Sequence, residues 1–81
     1  MRFSQLATAP ATDTDLQTVL GRTNPHTNGV LLKLAAGTVN YGTKNGANIP
    51  LEAADGVVQL LTTDISSLFV NGGGTFYVAL F

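Results

Sequence analysis

The side chains able to do chemistry are few, and their spacing serves none of it well. His26 is the single histidine and lies in Asn24-Pro25-His26-Thr27-Asn28-Gly29, so no second imidazole can complete a metal pair. Histidine catalysis needs a base steered by a third group, and no Ser or Asp stands at a known spacing from it. It reads as a solvated loop residue. Asp13 and Asp15 alternate and could touch one cation together, yet a calcium loop needs several more oxygen ligands at regular intervals. Glu52 and Asp55 flank one turn and read as turn formers rather than an acid–base pair. Gly72-Gly73-Gly74 would suit a phosphate loop only between a strand and a helix, where a helix dipole meets the anion. A strand pattern follows instead, so the glycines read as a hairpin. The threonines at 38 and 43 lack the repeated ranks an ice-binding face requires. With no cysteine, disulfides and thiolate metal sites are absent together. The expectation is a non-enzyme with no catalytic residue, no cofactor and no metal.

The elements that would position any site are clearer. From Gly37 to Phe81, apolar runs of about four to seven residues are broken by Gly, Asn, Asp and Pro before a helix could propagate. Val30, Leu32 and Leu34 share one face of a first strand, with Lys33 on the other. Residues 38–41 alternate again. Asn45-Gly46 favours a tight reversal. Pro50 confines residues 49–51 to a sheet edge or a strand start. Residues 57–63 have high β propensity, with Val58 and Leu60 opposed to Val57 and Leu61. Asp64 and Ser66 suit an Asx-type corner before residues 68–70. Residues 75–81 form the last strand. This pattern predicts an all-β protein, a small antiparallel β-sandwich or jelly-roll-like domain over residues 23–81. Its expected core is Val30, Leu32, Leu34, Val39, Val58, Leu60, Leu68, Val70, Phe76, Val78 and Leu80. Residues 1–22 read as an N-terminal arm, partly extended, with Asp13 able to cap a helix of a turn or two. Phe3 and Leu6 would anchor that arm on a neighbour.

Composition narrows the function. At 81 residues the chain is one domain near the lower size limit for independent folding. Small domains compensate with disulfides, a metal or a partner subunit, and only the last remains open here. Charged residues make up 11% of the chain, against roughly 25% in an average soluble domain. Arg2, Arg22, Lys33 and Lys44 are dispersed, which leaves no basic stripe for nucleic acid and no polybasic segment for a membrane surface. The apolar run Val78 to Phe81 falls far short of the ~20 residues that span a bilayer. Gln5, Thr8 and Pro10 interrupt any signal-peptide core near the start. The reading is a soluble protein made in a cytoplasm, with a Thr/Asn-rich surface insensitive to salt.

A resemblance adds to this. Asn24-Pro25, Asn28-Gly29-Val30-Leu31-Leu32, Val39-Asn40-Tyr41-Gly42, Ile49-Pro50-Leu51-Glu52 with Gly56, and Asp64-Ile65-Ser66-Ser67-Leu68-Phe69-Val70 occur in that order. A glycine turn then leads into a final apolar strand. In this order, residues 24–81 resemble a family of small structural proteins of tailed bacteriophages. The resemblance implies a jelly-roll or sandwich module of the virion, assembled in the host cytoplasm: a capsid decoration or cement protein, a head-fibre base or a tail attachment, often trimeric. It implies the major capsid protein or another virion protein as partner. It supplies no catalytic residue.

Two consequences can be tested against a structure. In the last strand, Phe76, Val78 and Leu80 form the natural core face, yet Tyr77, Ala79 and Phe81 on the other face are apolar as well. A strand apolar on both sides should be covered on both. Phe3, Leu6, Tyr77, Ala79 and Phe81 are therefore the expected oligomer or capsid interface, in a homo-oligomer expected to be trimeric; the competing possibility folds the arm over that face within one chain. The alternative function is a carbohydrate-binding module of a fibre or tail, with Tyr41, Asn40, Asn45 and Asn48 as the sugar-facing group. Against it, aromatics are 7% of the chain and Trp is absent, while sugar faces commonly stack on Trp.

Overall fold

Alternating apolar residues become two four-stranded antiparallel sheets in the computed structural model, which describes residues 5–43 and 46–81. The strands in chain order are β1 (Gln5–Thr8), β2 (Thr14–Asp15), β3 (Val30–Ala36), β4 (Val39–Thr43), β5 (Gly46–Leu51), β6 (Val57–Leu60), β7 (Phe69–Asn71) and β8 (Thr75–Leu80). A short helix, α1 (Leu16–Leu20), follows β2, and one 3-10 turn covers Ala53–Asp55. The first sheet has the order β1-β8-β3-β6 and the second β2-β7-β4-β5. Folding one long antiparallel ribbon in half gives these partners, which is the jelly-roll order. The all-β sandwich expected from the sequence is the fold observed.

The core lies between the sheets. Val30, Leu32, Val39, Leu68, Val70, Phe76 and Val78 are buried as expected, while Leu34, Val58, Leu60 and Leu80 are half-buried against them. Each such side chain removed from water contributes about 1.5–3 kcal/mol. Ala7, Ala9, Leu16, Leu51 and Ile65 complete the cluster. Three of these belong to the expected arm, residues 1–22, whose described part, residues 5–22, is built into the sandwich. β1 pairs with β8 through Leu6 opposite Tyr77, and β2 pairs with β7 through Asp15 opposite Phe69. β1 therefore lies beside β8, not across its outer face.

Two turns differ from the sequence reading. The helix cap is Asp15, whose carboxylate accepts the Thr18 amide at 3.0 Å and the Thr18 hydroxyl at 2.8 Å. Asp13 instead accepts a hydrogen bond from the Asn71 side-chain amide. The glycines after Asn71 make no hairpin, since β7 and β8 belong to different sheets. They carry the chain across the end of the sandwich, where the Gly74 amide donates to Thr38 O at 2.8 Å and the Ala9 amide to Gly74 O at 2.8 Å. A Cβ at Gly74 would stand 2.6 Å from Ala36 O and from Thr38 N and O, so packing against backbone requires glycine there. Pro50 does lie on an edge strand, β5.

Candidate functional site

The outward face of the first sheet gathers most of the exposed large apolar side chains. Strand register aligns Leu6, Tyr77, Lys33 and Val57 in one row across all four strands. Leu6 is 57%, Val57 49% and Tyr77 39% exposed. The next row joins Ala79, Leu31 and Gln59, and beyond it Gly29 meets Phe81. Alternation alone explains the placement, because the partners of these residues along each strand fill the core.

The expected interface residues have different fates. Leu6 and Tyr77 are direct cross-strand neighbours and exposed. Ala79 is covered within the single chain, at 1% exposure. Phe81 is 36% exposed, and its ring lies so close over Gly29 that a methyl group at that glycine would collide with it. The Phe81 main chain is also fixed: its amide donates to Gly29 O at 3.1 Å, and its oxygen accepts from the Gly29 amide at 3.0 Å. Phe3 lies outside the described residues. The sequence reading omitted Val57, which register brings into the same row. Its outward position could be found from the strand alternation, but its place beside Lys33 needs the β3–β6 pairing.

The outward face of the second sheet is mostly polar, although it also carries Pro50 and the half-buried Phe69. Asn40 and Asn71 oppose one another, and the Asn40 amide donates to Asn71 Oδ1 at 2.9 Å. Asn71 Nδ2 donates to Asp13 and to Ala47 O, the latter at 2.7 Å. One amide thus ties together β4, β5, β7 and the approach to β2. The sugar-binding group is not assembled here. Asn40 is bonded on this face, Tyr41 turns the other way, Asn48 is exposed on β5 and Asn45 lies outside the described residues.

At the open side of the sandwich, between edge strands β5 and β6, is a cleft of about 410 Å³. Tyr41, Ile49, Leu60, Leu61 and Leu68 line it, with Thr43, Thr62 and Ser67. No carboxylate, histidine or cationic side chain among the described residues lines it. His26 is exposed in the loop before β3, bridged to Asp64 through the backbone. The Ser66 hydroxyl and then the Ser66 amide, both donating to Asp64 Oδ1, hold that carboxyl below its usual range; partial burial opposes them and His26 adds a weaker attraction. Glu52 and Asp55 close one turn, with the Glu52 amide 3.4 Å from Asp55 Oδ2. Among the described residues, no group of three or more His, Asp or Glu side chains could hold a metal ion. No helix among the described residues is long and apolar enough to cross a membrane.

No family model matches the chain, and comparison with curated proteins and with solved structures gives no match either.

Proposed function

We propose that this is a non-enzymatic structural protein of a tailed-bacteriophage particle, a capsid decoration (cement) protein that binds the head as a homo-oligomer, most simply a trimer. The observation that carries the reading is the row Leu6, Tyr77 and Val57 on the outer face of the first sheet, exposed in a chain with few charges to keep it apart from a partner. Exposed apolar side chains gathered on one face of a small domain, here Leu6 beside Tyr77 with Val57 beyond Lys33, mark a contact. The ordered resemblance over residues 24–81 names the setting, and a jelly roll suits it, although a fold by itself assigns no function. A Thr/Asn-rich surface with net charge −1 keeps such a contact independent of salt.

The test is direct imaging. Purified protein is added to phage heads lacking it, and the particles are examined by cryo-electron microscopy and by resistance to heating. Regular added density on the shell and a higher bursting temperature are expected. Heads that remain bare at saturating protein, with the density found nowhere else on the particle, would remove the virion reading.

A further inference from the structure

Gly29 and Phe81 exchange both of their backbone hydrogen bonds, and this fixes the direction of every main-chain group in the middle of the first sheet. In an antiparallel ladder, successive residues point their N–H and C=O alternately to one neighbour and to the other. Leu31 and Lys33 therefore face β8, while Val30 and Leu32 face β6. Their partners on β6 are Leu60 and Val58, which point back at β3. The N–H and C=O of Val57 and Gln59 are left aimed out of the sheet, because β6 is its last strand.

A free edge of this kind is a template for another strand unless something blocks it. Of the other three edges, β1 (Gln-Leu-Ala-Thr) also lacks charge and proline but is not symmetric about its middle, and the remaining two are short or interrupted. β2 is two residues long and β5 carries Pro50. From Gly56 to Thr63 the chain reads Gly-Val-Val-Gln-Leu-Leu-Thr-Thr, with no charge and no proline. It is also nearly symmetric about Gln59, with Val-Val before it and Leu-Leu after.

We propose that β6 is a self-pairing edge: two copies of the chain join antiparallel about Gln59, making one continuous sheet from two first sheets. Gln59 then opposes Gln59 of the partner subunit, and Val57 opposes the partner's Leu61. The outward groups of Val57 and Gln59 meet their equals in phase. A two-fold contact must be self-complementary, and this strand meets that condition in both shape and charge. Counting along the same register sets Asp55 beside the partner's Thr63 and Asp64 beside the partner's Ala54, so no carboxylate faces another. Leu61, 79% exposed at the rim of the cleft, is covered by the pairing. Such a contact is smaller than the ~800 Å² per partner of a standard interface, so the dimer should dissociate on dilution.

This contact is distinct from the outer-face contact under the proposed function and is tested at a residue outside it. Gln59→Pro removes an outward N–H that serves no bond inside the sheet, and proline is tolerated at that kind of edge position. Sedimentation velocity across a concentration series should show wild-type dimer that Gln59→Pro lacks, with the same circular dichroism spectrum for both. Because the chain has no cysteine, Gln59→Cys gives a second reading free of folding questions. Facing Cα atoms about 5.5 Å apart fall within disulfide range. Mild oxidation should link Gln59→Cys as a dimer several-fold faster than Asn48→Cys on β5, and adding Tyr77→Asp should leave that rate unchanged. Equal rates at positions 48 and 59, or a folded Gln59→Pro that associates like the wild type, would overturn the proposal.

Discussion

The two outer faces of the sandwich are made by the same alternation and have opposite characters. On the first sheet, the positions facing away from the core are Leu6, Tyr77, Val57 and the half-buried Leu31, relieved by Lys33 and Gln59. On the second they include Asp13, Asn40, Asn48 and Asn71, three of them bonded to one another. Burial of the inner faces dictates neither pattern, since both sheets turn buried apolar residues inward, Phe76 and Leu32 from one and Val39 and Val70 from the other. The second sheet spends its outward polar groups on holding its own strands in place. The first leaves apolar surface in water, which is costly unless something covers it. The difference separates a face that stabilises the fold from a face available to a partner.

Charging the apolar face should have the largest effect. Leu6→Ser with Tyr77→Asp should remove the outer-face association seen by light scattering, leaving at most the β6 dimer, because covering the exposed half of two such side chains contributes roughly 1.5–3 kcal/mol per contact. The melting temperature should move much less, as both positions are already exposed in the single chain. A double variant that scatters like the wild type would mean the face carries no contact. The complementary change is Asn71→Ala on the polar face. It strips partners from Asn40, Asp13 and Ala47 O at once and should cost about 1–3 kcal/mol of folding stability in a denaturant titration. Association per folded molecule should stay unchanged. If Asn71→Ala weakened assembly while leaving stability intact, the roles assigned to the two faces would be reversed.

How far these faces were legible in the sequence depends on the range of the signal. Strand positions and inward residues from Val30 to Val78 follow from period-two alternation, a local property. The sandwich followed from these. Leu16 and Ile65 escaped it, because each is a single buried side chain inside a polar stretch. Leu16 is placed by its amide bonding to Leu68 O at 2.8 Å, and Ile65 by its amide bonding to Pro25 O at 2.9 Å. Those partners are distant in sequence and leave no periodic trace. The same limit hid the pairing of β1 with β8, and with it the adjacency of Leu6 and Tyr77. Tyr77 and Leu6 were legible as apolar residues needing cover; their sharing one row was not. Ala79 erred the other way, since its exposure depends on neighbouring strands and the single chain already covers it.

The smallest expected effect lies at the corner joining the sheets, where Asp64 turns the chain from β6 toward β7. Asp64 Oδ1 accepts from the Ser66 hydroxyl and from the Ser66 amide, the latter at 2.9 Å, and its carboxyl titrates below the usual 3.8. A carboxyl whose folded-state value is depressed contributes stability that is fully present above the unfolded value. That contribution is lost as pH falls through the folded one. Asp64 is solvent-accessible, so the effect is modest and adds to that of any other carboxylate. Asp64→Asn keeps the shape and an accepting oxygen but cannot titrate. Unfolding midpoints in urea, measured at pH 6 and pH 3, should lie closer together for Asp64→Asn than for the wild type, with the variant slightly weaker at pH 6. Light scattering of the two proteins at pH 6 should agree, because the corner belongs to neither outer face. Equal acid sensitivity would show that the Asx turn does not depend on the charge, and a change in assembly would extend the contact surface beyond the first sheet.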